Sequence, residues 1–176
     1  HLTCNTPEHS EYMCISDDMI LFRNQSIGTG AFGAVFKGKL KGQLCAIKLL
    51  HSLATVIHTQ IPIPSPTVSV ERFRSECEFL ESFNHPNIVR HLATRIHPKS
   101  GQLFLALELM DTNLRHYFTP QLNKEPIKLD LHVQSSLCEN IASALDYIHS
   151  RGVIHRDLCG ENILLSCEGE FPIAKV

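Results

Sequence analysis

The stretch Val153 to Leu165, VIHRDLCGENILL, carries His155, Arg156 and Asp157 in a row and then Asn162. An Asp and an Asn at that spacing can face one small site. The carboxylate can accept or orient a hydroxyl proton, and the amide oxygen can ligate a hard cation such as Mg²⁺. Apolar residues flank the cluster: Val153 and Ile154 before it, Ile163, Leu164 and Leu165 after it. Short apolar runs of this kind suit buried strands, so a tight polar loop between two strand ends is predicted. The competing reading is a surface salt-bridge trio, with Asn162 as a turn residue.

A second cluster lies near the N-terminus, Gly28-Thr29-Gly30-Ala31-Phe32-Gly33-Ala34-Val35. Its three spaced glycines let a backbone approach phosphates and point N–H groups at them. A dinucleotide-binding unit uses the same G-x-G-x-x-G to open a helix, and meets an acid about 20 residues later. Here the glycines run instead into Val35, Phe36, Lys37, Gly38, Lys39 and Leu40, with another glycine at 42. Glycines among β-formers favour a strand–turn–strand hairpin. The next marked residue is a lysine, in Cys45-Ala46-Ile47-Lys48. The alternative for Lys48 is an edge lysine snorkelling to water.

The order of the first cluster matches the protein-kinase catalytic loop, H-R-D-L-x-x-x-N, and Cys45–Lys48 resembles the V-A-I-K strand. From about residue 20 onward the chain resembles the N-terminal part of a eukaryotic protein kinase domain. The hairpin KGKLKGQLCAIK is most similar to the tyrosine-kinase-like group, most of whose members phosphorylate Ser and Thr.

That resemblance implies an α+β, bilobal fold: a five-stranded antiparallel lobe with one long helix, then the start of a helical lobe. Residues 1–18 become a lead-in, and 19–176 a partial kinase domain divided into lobes at 19–109 and 110–176. It implies an ATP site made of Ile27, Gly28, Thr29, Gly30, Ala31, Phe32, Gly33, Ala34, Val35, Ala46, Lys48, Leu107, Glu108, Met110 and Leu164. In it the glycines cradle phosphate, and Val35 and Ala46 lie over the adenine ring. Leu107 is the gatekeeper, backbone groups of Glu108 and Met110 bond the adenine, and Lys48 grips the α- and β-phosphates. The segment FRSECEFL offers Glu76 and Glu78 to orient that lysine. Glu76 fits, one turn before Leu80 and in the family's position relative to HPNIV at 85–89; the alternative is a pair of solvated helix glutamates. Asp157 accepts or orients the substrate proton, Asn162 holds one Mg²⁺, and His155 and Arg156 anchor the loop.

The implied reaction moves the γ-phosphoryl of ATP to a protein hydroxyl, with ATP and Mg²⁺ required. Two departures stand against the pattern. The family's metal-binding Asp-Phe-Gly is absent: Ile173-Ala174-Lys175-Val176 resembles the strand leading to it, so the second metal ligand is expected beyond the chain end and this segment alone is expected to be inactive. And Cys159 stands where serine/threonine kinases, with HRDLKPEN, place a lysine, while the arginine of tyrosine kinases is missing too. Glu161 is closer to the serine/threonine version. The competing functions are a pseudokinase or nucleotide-binding scaffold, supported by Cys159, and a small-molecule kinase, opposed by the complete loop.

These residues need positioning elements. A strand is predicted over Met19–Ile27, and a hairpin over Leu92–Ile96 and Leu103–Leu109 turning at Pro98, Ser100 and Gly101. Pro62, Pro64 and Pro66 make His51–Pro66 an extended loop. A helix begins near Ser69, buries Phe73, Cys77, Leu80 and Phe83, and ends at Asn84-His85-Pro86. Thr112–Phe118 suits a short helix. Leu131–His149 suits a long one, with Val133, Leu137, Ile141, Ala144 and Ile148 on one face and Gly152 closing its end.

Composition excludes other classes. With 176 residues, 19% charged and 43% hydrophobic, the chain can bury a core and is not a disordered polymer. A formal charge of −2 gives nucleic acid or an anionic membrane no handle. Eleven His residues lack metal-ligand spacing. Seven Cys, an odd number without a C-x-x-C pair, point to free thiols and a cytoplasmic location. No apolar run reaches the ~18 residues of a membrane span, and no signal peptide is visible; the full-length protein could still associate with a membrane through other segments.

Overall fold

The computed structural model describes residues 11–30, 33–50, 81–119 and 130–176. They form two compact units. One holds the described residues up to Phe83 together with His91–Leu109; the other holds Asn84–Arg90 and Met110–Val176. The loop at 84–90, expected within the first lobe, therefore groups with the second unit.

The first unit is an antiparallel sheet of β1 (Tyr12–Ser16), β2 (Met19–Gly30), β3 (Gly33–Leu40), β4 (Gln43–Leu50), β5 (His91–Ile96) and β6 (Leu103–Leu107). Its strand order is β1-β2-β3-β4-β6-β5. Six strands replace the five expected. The additional one, β1, lies in the stretch read as a lead-in, and it pairs from Tyr12↔Phe22 to Ser16↔Met19. Tyr12 to Ile15 is an apolar run too short to show a period, yet Ile15 is 1% exposed. β2 outruns its expected end at Ile27 because Thr29 and Gly30 go on pairing with Ala34 and Gly33. The β3–β4 turn sits at Lys41 and Gly42, with φ of 49° and 84°. Two positive φ values make the turn twist with its strands.

One face of this sheet is the core, with Ile15, Met19, Leu21, Cys45, Ile47, Phe104 and Ala106 buried together. The sheet curls so that its edge strands β1 and β5 come into contact. An ion pair bridges those edges. Arg95 on β5 donates from Nε (3.1 Å) and Nη2 (2.7 Å) to Asp18 in the β1–β2 turn, and Ser16 Oγ donates to the same carboxylate at 2.7 Å. The Arg95 hydrogen bonds, then that of Ser16, hold the Asp18 carboxyl well below the usual carboxylate range.

The second unit contains β7 (Thr112–Asn113), α1 (Leu114–Phe118), α2 (Leu131–Ser150), β8 (Leu164–Ser166) and β9 (Ile173–Lys175). The three strands form a small sheet in the order β7-β8-β9. The helix expected from Thr112 starts at Leu114, because the Asn113 side chain caps it by accepting from His116 N–H at 2.7 Å. α2 is capped by Asp130, which accepts from His132 N–H. Its expected face is the buried one: Leu137, Ala144 and Ile148 are inside, with Val133 and Ile141 half-buried. Gly152 ends it at φ 75°, its N–H bonded to His149 O at 2.9 Å and Val153 N–H to Ile148 O at 3.0 Å. This pair of bonds is the Schellman closure, which needs a left-handed residue where glycine sits.

That closure corrects one expectation. Val153 and Ile154 are not a strand; the Val153 N–H is taken by the helix end, and Ile154 is 67% exposed. The other flank does form a strand, β8, which with Ile163 and Leu165 packs on Leu137 and Ala174 as a second core. The loop at 84–90 joins this unit through Asn87, the buried polar residue among those described. Its side chain donates to Ala174 O at 3.0 Å, Val176 N–H donates to Asn87 O at 2.9 Å, and Val89 N–H to Val176 O at 3.0 Å. The expected loop at 51–66, the helix from Ser69 to Leu80 and the tip residues Ala31 and Phe32 lie outside the described residues. No helix among the described residues is long and apolar enough to cross a membrane.

Candidate active site

The catalytic-loop residues come together in the second unit. Asn162 Nδ2 donates to both Asp157 O and Asp157 Oδ2, each at 2.8 Å. Both partners are acceptors, so the amide nitrogen must face Asp157 and the amide oxygen is turned away. Asn162 N–H closes a turn on Cys159 O at 3.0 Å. On the other side, Asp157 N–H donates to His155 Nδ1 at 3.4 Å, a long bond, and His155 is half-buried while Arg156 and Asp157 are exposed. Arg156 has φ 66°, a left-handed conformation that costs a side-chain-bearing residue about 1–2 kcal/mol. It turns the chain between His155 and Asp157. Strain held at a loop of this kind points to function.

Among the described residues no group of three His, Cys, Asp or Glu could hold a metal alone. The Asp157–Asn162 pair presents oxygens, from the Asp157 carboxylate and the outward amide oxygen of Asn162. That suits a hard cation which keeps waters and takes substrate phosphate oxygens as further ligands. The residues therefore fit Mg²⁺ as part of a shared coordination shell.

In the first unit, strand register assembles a second group. Val35 pairs with Lys48, Lys48 with Leu105, and Ala46 with Leu107. Directly paired residues share a face, and so do i and i+2 along a strand. Val35, Ala46, Lys48 and Leu107 therefore stand on one face, opposite the core face of Ile47 and Phe104. Gly28 pairs with Val35 on the neighbouring β2–β3 ladder. Lys48 is half-buried, and burial pushes its ammonium pKa down. The glycine stretch is the end of the β2–β3 hairpin, with Gly28 and Thr29 exposed, Ala34 half-buried, and Ile27 at a bulge where pairing passes from Ser26 to Gly28. Glu108 follows β6, half-buried, in the first unit; Met110 and Leu164 are half-buried in the second. Glu76, Ala31 and Phe32 lie outside the described residues.

Sequence reasoning missed a cross-link to the catalytic loop. Arg115 N–H on α1 donates to Gly160 O at 2.9 Å, and its guanidinium pairs with Glu161. Those partners are 46 positions apart, with no periodicity to link them.

Comparison with known proteins agrees with the geometry. The chain matches the protein kinase domain family over residues 22–175. It is 35% identical over 153 residues to human ribosomal protein S6 kinase alpha-2, covering 84% of this chain and 19% of that protein. It is 29% identical over 154 residues to the serine/threonine/tyrosine-protein kinase HT1 of Arabidopsis thaliana, covering 88% and 37%. A leaf rust 10 disease-resistance locus receptor-like protein kinase, like 1.2, also from Arabidopsis thaliana, is 33% identical over 154 residues, covering 86% and 21%. The chain thus spans well under half the length of these relatives. It belongs to the protein kinase domain family, a family of phosphotransferases; among its relatives, kinX of Dictyostelium discoideum is named a probable serine/threonine-protein kinase and HT1 a serine/threonine/tyrosine-protein kinase.

Proposed function

We propose that this chain supplies the ATP-binding and catalytic-loop parts of a kinase that transfers the γ-phosphoryl of ATP to serine or threonine hydroxyls of proteins. The observation that carries this reading is the Asp157–Asn162 pair, which holds one carboxylate and one outward amide oxygen side by side. Asp157 orients the acceptor hydroxyl and takes its proton. Lys48, Gly28, Gly30 and Gly33 hold the phosphates, and Glu76 orients Lys48. Val35, Ala46 and Leu107 face the adenine, with a backbone bond from Glu108. Magnesium, when bound, would neutralise phosphate charge, with Asn162 as one protein ligand. The transition state is loose and anionic, so these residues act by position and charge.

The 176 residues by themselves are proposed not to turn over, since no described residue supplies the family's second metal ligand. The relatives' greater length supports testing activity in the full-length protein that carries the chain. Among the described residues, free thiols at Cys45, Cys138, Cys159 and Cys167 support a reducing, cytoplasmic site of action.

The test is phosphate transfer from labelled ATP to peptide acceptors, with Asp157→Asn as the control. Transfer to Ser/Thr peptides, reduced ~10²–10⁴-fold in that variant, is expected. Cys159, exposed where the serine/threonine pattern has lysine, favours one rival reading: a scaffold that binds nucleotide without turnover. Nucleotide binding with no transfer to any acceptor would select that rival.

A further inference from the structure

We infer that Arg115 is a positioning residue for the catalytic loop, holding the turn that carries Asn162 from a helix remote in sequence. This rests on the kinase reading above and deepens it. Arg115 grips both central residues of the turn. Its backbone N–H bonds Gly160 O at 2.9 Å, and its guanidinium pairs with Glu161 Oε1. The turn is closed by Asn162 N–H on Cys159 O, and the Asn162 side chain then fixes Asp157. The grip continues next door, where Leu114 N–H donates to Ile163 O at 2.8 Å.

Gly160 allows the approach. A Cβ there would lie 3.3 Å from both Arg115 Cβ and Arg115 N. In the HRDLKPEN pattern, proline occupies this position and stiffens the turn itself. This chain has the freest residue in that place, and a contact from outside the loop supplies the order that the proline ring would. The ion pair also neutralises the Glu161 carboxylate close to an anionic transfer.

The side chains are 70% and 59% exposed, so the pair adds little to stability. Displacing a reacting group by about 1 Å, in contrast, costs ~10²-fold in rate. A clamp of this kind separates rate from stability, which a merely structural contact does not.

The experiment uses the full-length protein with Arg115→Met, Arg115→Lys, Glu161→Gln, Gly160→Ala and the charge exchange Arg115→Glu with Glu161→Arg. It reads hydrogen exchange at the Asn162 amide, kcat, KM for ATP, and Tm. For Arg115→Met the expectation is exchange faster by ~2–5-fold and kcat lower by ~10-fold or more, with KM for ATP within about twofold. Its Tm should move by no more than ~4 °C. Glu161→Gln and Gly160→Ala should show the same signature, Arg115→Lys part of it, and the charge exchange should recover most of kcat. Unchanged Asn162 exchange in Arg115→Met overturns the clamp. Faster exchange with unchanged kcat, or a charge exchange no better than the single variants, overturns the positioning role. If wild type transfers no phosphate, the kinase reading fails, and the exchange arm still decides the clamp independently.

Discussion

Lys48 shows how one side chain sets stability against function. Its register places it on the sheet face opposite the core, yet burial lowers its pKa. The unfolded chain, with a lysine pKa near ~10.4, then binds the proton more readily than the folded one. The sign follows: stability rises with pH between the lowered folded value and ~10.4, and the penalty is fully present below it. Lys48→Met should remove that pH dependence, leave the protein at least as stable at neutral pH, and abolish transfer. Tm against pH for both proteins, with an activity assay, checks this. Arg156 is the second such position. Its φ of 66° suits glycine better than arginine. Arg156→Gly should relieve up to ~1–2 kcal/mol of local strain, offset by a more disordered unfolded chain, while slowing turnover because the loop reversal loses definition. Denaturant midpoints beside kcat measure the two effects.

At the scale of elements, the curled sheet depends on what joins its edges. β1 and β5 are tied by Asp18 and Arg95. Because the folded pKa of Asp18 is depressed, its contribution is present above the unfolded value of ~3.9 and is lost as pH falls through the folded value. Asp18→Asn should cost on the order of 1 kcal/mol at pH 7, discounted for partial exposure, and flatten the acid limb of the stability curve. Hydrogen exchange should rise first in β1. His91 acts in the same unit with the same sign in a higher window. Burial lowers its pKa, against the nearby Glu81 carboxylate and a bond to the Ala93 backbone. Stability from neutral His91 is lost as pH falls below ~6.5. His91→Gln should remove that step from a Tm-against-pH curve.

For the whole molecule, the relevant fact is two units with separate cores, one around Ile47 and Phe104, the other around Leu137 and Leu165. Leu165 is fully buried. Leu165→Ala should cost about 2–5 kcal/mol, as buried Leu→Ala changes do. Its effect on hydrogen exchange should concentrate in Asn84–Arg90 and Met110–Val176, with the β2–β3–β4 ladder little changed. Equal loosening of both units would refute separate cores.

Much of this was legible in one dimension because it depends on near neighbours. The His155–Asp157–Asn162 spacing, the Gly28–Val35 hairpin, the α2 stripe and the Gly152 stop are local: backbone periodicity and turn chemistry write them into adjacent residues. The strand Tyr12–Ser16 was not, since four apolar residues carry too little period and the β2 ladder is what makes them a strand. Nor was the detachment of Asn84–Arg90 from the first unit, which follows from a buried Asn87 finding Ala174 and Val176 at the far end of the chain. The face shared by Val35, Ala46, Lys48 and Leu107 needed strand register, and the Arg115 contact needed a helix and a loop brought side by side. Sequence by itself determined which groups could do chemistry and the elements that carry them. Tertiary structure alone decided what restrains those groups, because restraint comes from hydrogen bonds and packing between residues that the chain keeps far apart.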